Sequence, residues 1–217
     1  VVGKSFPRRD VAWKVYGTDA FVTDISVPGM LHGRVIRPPR AACVAEKVDE
    51  KSIGSIRGAR VVREKNFLAV VARKEWDAVR AAQMLKVQWS APTDPFPPMD
   101  KLHDYIRAAA SVKREEPVKK GDVEAAFKTA ARIVEAEYEW PFQSHASMGP
   151  GCAVADVRKD GATLWTGTQK PHFARDGAAK LLGLPAEKVH AIWLMGPGSY
   201  GRNDSGDSAI DAALLSK

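Results

Sequence analysis

Cysteine is scarce: Cys43 and Cys152 are the only two in 217 residues. Two cysteines exclude a disulfide-stapled scaffold and a cysteine-only metal site, and they cannot hold an iron–sulfur cluster. They read as two reduced, buried thiols, with a single 43–152 bridge as the alternative. No apolar run approaches the ~18 residues that a membrane-spanning helix needs. No Gly-x-Ser-x-Gly turn occurs, which leaves hydrolase chemistry without support. The five histidines are scattered, and none lies at metal-ligand spacing from another. An initiator Met and a basic-then-apolar leader are also missing. The helical pattern of Ser208 to Lys217 runs on without a Gly or Pro stop. The expectation is a piece of a longer polypeptide, whose compartment (cytoplasmic or periplasmic) the sequence does not assign.

What remains is globular in character. With 45% hydrophobic residues and six Trp spread along the chain, disorder is excluded as the main state, and the length suits one large or two small domains. The net charge of +7 is lopsided: residues 1–92 carry 17 Lys and Arg against 9 Asp and Glu, while the remainder is close to neutral. A basic half suits a phosphate-bearing cofactor, a polyanion or an acidic partner subunit; a solvated basic face is the plain alternative. Nucleic acid is not an expected partner. The cations, such as Arg34, Arg37, Arg40 and Lys47, stand singly with few aromatics between them.

The pattern predicts an α+β fold. Strands are expected over His32 to Arg37 (closed by Pro38-Pro39), Ala42 to Val48, Ala59 to Arg63, Phe67 to Ala72 and Lys86 to Trp89. The unbroken apolar run of Phe67 to Ala72 suggests burial on both faces. Between the last two strands, Ala78, Ala81, Ala82 and Leu85 form one apolar helical stripe. Without repeated βαβ units, a doubly wound sheet is not expected here. Ala91 to Pro98 is proline-stiffened and Lys113 to Lys120 is charged, so 91–120 reads as a linker around a short helix at Asp100 to Ser111. After it come a helix from Asp122 to Ala131 and a half-buried strand from Ile133 to Trp140. A hairpin of Cys152 to Val157 and Ala162 to Gly167 follows, then a helix from Pro171 to Leu182. A strand from Val189 to Met195 and a helix from about Asp207 complete the series.

Three places invite chemistry. Gly196-x-Gly198-x-x-Gly201 follows a strand and precedes a helix, an arrangement that lets backbone approach an anion closely. It can serve a nicotinamide or flavin, another cofactor, or a turn with no ligand. Pro197 removes one N–H, and polar residues separate Gly201 from the helix. Gln169 ends a strand, where its amide offers a donor and an acceptor, or merely caps the next helix. His145 lies in the turn Phe142-Gln-Ser-His-Ala-Ser-Met-Gly-Pro-Gly151, where a lone histidine is usually a hydrogen-bonding residue. Glu135, Glu137 and Glu139 read as one solvated face of the strand.

Together these stretches resemble the large, molybdenum-binding subunit of the xanthine dehydrogenase/aldehyde oxidase family. Lys14-Val-Tyr-Gly-Thr18 and Val27-Pro-Gly-Met-Leu-His-Gly-Arg-Val-Ile-Arg-Pro-Pro39 are similar to the opening of its α/β hammerhead domain, and Phe67 to Trp89 to its close. Phe142 to Ala155 resembles the family's His-containing stretch, with Gly149 where Met-Glu-Pro has its Glu. Leu164-Trp-Thr-Gly-Thr-Gln169 resembles its Gln-ended strand, and Leu181-Leu-Gly-Leu-Pro185 its helix exit. Met195-Gly-Pro-Gly-Ser-Tyr-Gly-Arg202 resembles Met-Gly-Gly-Gly-Phe-Gly-Gly/Arg, with Pro197 and Ser199 at glycine positions and Tyr200 at the Phe. The Arg after the motif and the Gly-Pro after Met148 point towards the isoquinoline- or nicotinate-oxidising branch.

The resemblance implies a lead-in at 1–15, a hammerhead domain at 16–90, a linker at 91–120 and, at 121–217, the first portion of a molybdopterin-binding domain. It implies oxidation of an aldehyde or small aromatic N-heterocycle by hydroxylation at an electron-poor carbon. The cofactor would be molybdenum–molybdopterin, in its cytosine dinucleotide form, with a [2Fe-2S] cluster on an iron–sulfur partner subunit. Gln169, Gly198, Ser199, Tyr200, Gly201 and Arg202 are the cofactor-binding candidates. No residue here is expected to ligate metal directly, and the family's glutamate base lies downstream. The chain alone is expected to be inactive and cofactor-free. Two other readings stand beside this one: a non-catalytic module that docks a partner subunit, and an NAD-dependent oxidoreductase.

Overall fold

A computed structural model describes residues 2–92, 96–149, 151–203 and 206–217. The first helix, α1 (Val11–Val15), is a single short turn that buries none of its residues. Strands β1 (His32–Val35), β2 (Ala45–Asp49), β3 (Arg60–Glu64) and β4 (Phe67–Ala72) follow, then α2 (Glu75–Met84) and β5 (Lys86–Trp89). β4 lies at the centre of an antiparallel sheet ordered β1-β4-β3, and Leu68 to Ala72 are all buried, as a two-faced apolar strand requires. β5 does not close this sheet. It pairs with β2 in a separate antiparallel ladder, so Ala45, Ile53, Ile56, Leu68, Val70, Ala81 and Leu85 form a core between the two ladders and α2. Asn66, in the tight β3–β4 turn, accepts from the Ala45 N–H at 3.0 Å and donates to the Cys43 carbonyl, which ties the ladders together.

Two short helices come next, α3 (Leu102–Ala108) and α4 (Val123–Thr129). The Asp122 carboxylate caps the second by accepting from the Ala125 N–H. Beyond α4 the structure corrects an expectation. Ile133 to Trp140 forms no strand: it has no ladder partner among the described residues, and Val134, Tyr138 and Trp140 are exposed. Alternation decides which side chains share a face, but a strand also needs a neighbour to take its N–H and C=O groups. The period of two survives in the side chains. The Tyr138 and Trp140 rings lie 5.8 Å apart, and Glu137 and Glu139 both bind Arg107. These two glutamates are therefore paired rather than merely solvated.

β6 (Ala153–Arg158) and β7 (Gly161–Thr166) form the expected hairpin. From β7 the chain crosses through α5 (Pro171–Leu182) to β8 (Val189–Trp193), which lies parallel to β7. α5 begins with Pro at its first turn and ends at Gly183 in the left-handed conformation (φ 70°), a stop signal visible in the sequence together with Pro185. The last helix, α6 (Gly206–Ser216), lies beside α5 on the sheet; Ala162, Leu164, Ala178, Ala179, Val189 and Ala213 form the second core. The two halves touch. Arg37, just past β1, bonds Asp211 of α6 at 2.5 Å, and Val22 donates to the Met195 carbonyl at 2.9 Å.

Candidate functional site at the glycine bend

The parallel pairing of β7 and β8 sets Thr166 opposite Trp193, so both strands deliver their carboxyl ends to one edge of the sheet. Ligands of open α/β sheets collect at such edges. From β7 the chain runs through Gly167 and buried Thr168 to Gln169; from β8 it enters the bend at 196–203. The two meet through a reciprocal pair of bonds. The Gln169 N–H donates to the Asn203 carbonyl at 2.8 Å, and the Asn203 N–H donates to Gln169 Oε1 at 2.7 Å. Asn203 also donates from Nδ2 to the Gly167 carbonyl at 3.0 Å. Below them Gly167 and Gly196 pass so closely that a Cβ on Gly167 would sit 2.7 Å from the Gly196 Cα.

This arrangement orients an amide. With Oε1 engaged, exposed Gln169 keeps its two Nε2 protons as donors. Sequence reasoning singled out Gln169 but missed Asn203, the residue that turns it. An Asn just after a glycine bend was the available signal.

The bend itself is held far from ordinary geometry. Gly198 (φ 140°), Tyr200 (φ 48°) and Gly201 (φ 105°) all lie at positive φ, and the Arg202 N–H closes the turn on the Ser199 carbonyl at 2.9 Å. A tyrosine in the left-handed region costs roughly 1–2 kcal/mol, so neighbours must impose it. Those neighbours are alternate residues of 145–149. His145 Nδ1 lies 2.6 Å from the Tyr200 carbonyl, and Ser147 Oγ donates to the Gly198 carbonyl at 3.0 Å. Gly149 packs on Pro197, where a Cβ would fall 2.3 Å from the proline ring. Gly149 and Pro197, two of the positions at which the chain departs from the family pattern, thus meet each other. Gly201 is constrained by its φ and, less severely, by contact, since a Cβ there would lie 3.2 Å from the His145 ring. A hollow of about 380 Å³ beside this contact is lined by Gln143, His145, Ser147, Gly151 and Arg202 among others.

The remaining ionisable groups do not compete as a site. Burial pushes the Cys152 thiol up, which disfavours its thiolate. No cluster of three metal-ligating side chains occurs among the described residues. Lys14, bonded to Asp10 and Asp19, approaches the Met195 sulfur at 2.9 Å; Arg8 and Lys14 hold the Asp10 carboxyl far below the usual carboxylate range.

The chain matches the family of molybdopterin cofactor-binding domains over residues 106–217. It is 39% identical to a nicotinate dehydrogenase subunit of Pseudomonas putida, over 100% of this chain and 19% of the relative. It is 30% identical to the beta subunit of isoquinoline 1-oxidoreductase of Brevundimonas diminuta, over 99% of this chain and 29% of the relative. The chain belongs to the molybdenum-binding subunits of the xanthine dehydrogenase/aldehyde oxidase family. Among solved structures, a Cu,Mo-CO dehydrogenase superposes with a TM-score of 0.68 at 19% identity, covering 99% of this chain and 34% of that one. The aldehyde oxidoreductase of Desulfovibrio gigas gives a TM-score of 0.67 at 19% identity, covering 99% of this chain and 29% of that one. The mixed α/β fold with small sheets is therefore that of the family's molybdenum-binding subunits, of which this chain spans a fifth to a third.

Proposed function

We propose that the chain forms part of the molybdenum-cofactor site of an oxidoreductase that hydroxylates an electron-poor carbon of an N-heterocycle or an aldehyde. The observation that carries this is the Gln169–Asn203 pair, which fixes a side-chain amide donor at the mouth of a bend rich in backbone N–H groups. The residues present fit such a group. The Gly167–Gly196 approach excludes a side chain at Gly167, and the backbone donors of the bend suit an anionic, phosphate-bearing cofactor. When bound, the molybdenum centre supplies the oxygen-transfer and electron-accepting chemistry. Gln169 would donate a hydrogen bond to an oxygen of that centre. Gly198, Ser199, Gly201 and Arg202 line the cofactor with their backbone, while the half-exposed Tyr200 ring walls the substrate.

The branch represented by the nicotinate and isoquinoline relatives favours an N-heterocyclic substrate. Within this reading, residues 16–90 are the α/β hammerhead unit, 91–120 a linker, and 121–217 the first portion of the cofactor-binding unit, behind a lead-in at 1–15. The cofactor would carry a cytosine dinucleotide, a [2Fe-2S] partner subunit would accept its electrons, and the base would lie in parent sequence beyond this chain. The 217-residue chain alone is inactive and metal-free. In the parent polypeptide, Gln169→Ala is expected to lower kcat on an N-heterocycle about 10²–10³-fold, as removal of one oriented donor does. Unchanged turnover would overturn the assignment, as would stoichiometric molybdenum in the isolated chain for the claim that it stands empty.

A further inference from the structure

We infer that His145 and Ser147 are positioning residues that turn the Ser199 and Gly201 N–H groups outward, as paired donors to an anionic oxygen of the bound cofactor. The inference rests on the cofactor reading above and adds which donors act and what aims them. No peptide among the described residues is cis, so each C=O points opposite to the N–H of the next residue. His145 holds the Tyr200 carbonyl and Ser147 holds the Gly198 carbonyl. The N–H groups of Gly201 and Ser199 must therefore point away from 145–149. Neither has a protein partner among the described residues.

Two donors flanking one residue, in a stretch at positive φ, form a concave anion-binding nest. A carbonyl can only accept, so Nδ1 of His145 is the donor in this contact. The imidazole thus acts through Nδ1, and its Nδ1–Cε1 edge lies against Gly201, whose φ of 105° disfavours any residue with a Cβ.

The test uses variants that differ in where they place a donor. Asn puts its amide nitrogen near the position of histidine Nδ1, whereas Gln puts it near Nε2. Residual dipolar couplings on the full 217-residue chain report the two N–H directions directly. His145→Gln should rotate the Gly201 N–H and Ser147→Ala the Ser199 N–H. His145→Asn should leave both in place, and the amides around Leu164 should not move in any variant. In the parent polypeptide, His145→Gln should lower molybdenum content about 10–100-fold, with rescue by His145→Asn. N–H directions unchanged in His145→Gln and Ser147→Ala would overturn the positioning role. Rotated directions with full molybdenum content would overturn the donor role, while a turnover defect in Gln169→Ala would leave the wider reading standing. A wild-type parent devoid of molybdenum would sink that wider reading, and the couplings would still decide what aims the bend.

Discussion

Two stretches of this chain carry a strand's signature and end differently. Phe67–Ala72 is apolar on both faces, lies between β1 and β3, and is buried from Leu68 to Ala72. Ile133 to Trp140 alternates more cleanly, yet it lies in the open with Val134 77% and Tyr138 71% exposed. The difference shows that hydrophobic period selects a face, while a ladder is made by whatever comes alongside. Where local chain supplies the neighbour, as the tight β3–β4 turn does, the strand forms. Where it does not, the period persists only as paired side chains.

The largest expected effect separates these classes. Leu164→Ala, in the fully buried partner of two strands, should destabilise by about 3–4 kcal/mol in urea titration, whereas Val134→Ala should stay within about 0.5 kcal/mol. Equal losses would mean that the exposed stretch is packed in solution. Gly149→Ala comes next: forced against Pro197, it should cost about 1–3 kcal/mol and disturb the bend. The double change with Pro197→Gly should recover most of that loss, and a strictly additive cycle would refute the contact.

Smaller still is Arg107, which joins Glu137 and Glu139. Its hydrogen bonds hold the Glu139 carboxyl below its ordinary range, so the pair contributes above that range and is lost as pH falls through the depressed value. In Arg107→Ala the Glu139 carbon resonance should titrate at its usual position with the melting temperature only slightly lowered, since the pair is exposed. A large fall in melting temperature would show the stretch to be anchored. The least effect belongs to Asp211, whose carboxyl is raised by burial despite Arg37. A raised folded value favours the protonated form, so that contribution is present at low pH and is lost as pH rises through it. Asp211→Asn should therefore melt no lower than wild type at pH 7, with any gain vanishing in acid.

Much of this was legible beforehand, for local reasons. Pro171 and Gly183 bracket α5 because each encodes its own backbone geometry, and the Lys159-Asp160-Gly161 turn announces the β6–β7 hairpin. Gln169 and the glycine bend stood out through residue type and position. What escaped notice depends on contact: Asn203 orients Gln169 across 34 residues, and His145 reaches Tyr200 across 55. No period or propensity encodes such meetings. The short α1 went unseen because it buries nothing that would leave an apolar stripe. The pairing of β5 with β2 rather than the main sheet lay hidden too, because a four-residue strand does not name its neighbour.

One junction bears on assembly in time. Met195, at the entrance of the bend, is gripped by Val22 and by Lys14, the latter 181 positions away along the polypeptide. Contacts spanning so much chain close slowly, because the intervening loop must give up its freedom first. The bend is therefore expected to take its final shape late, after both ladders and the β6-β7-β8 sheet have condensed. A ligand bound there is then expected to enter a scaffold already condensed rather than to nucleate folding.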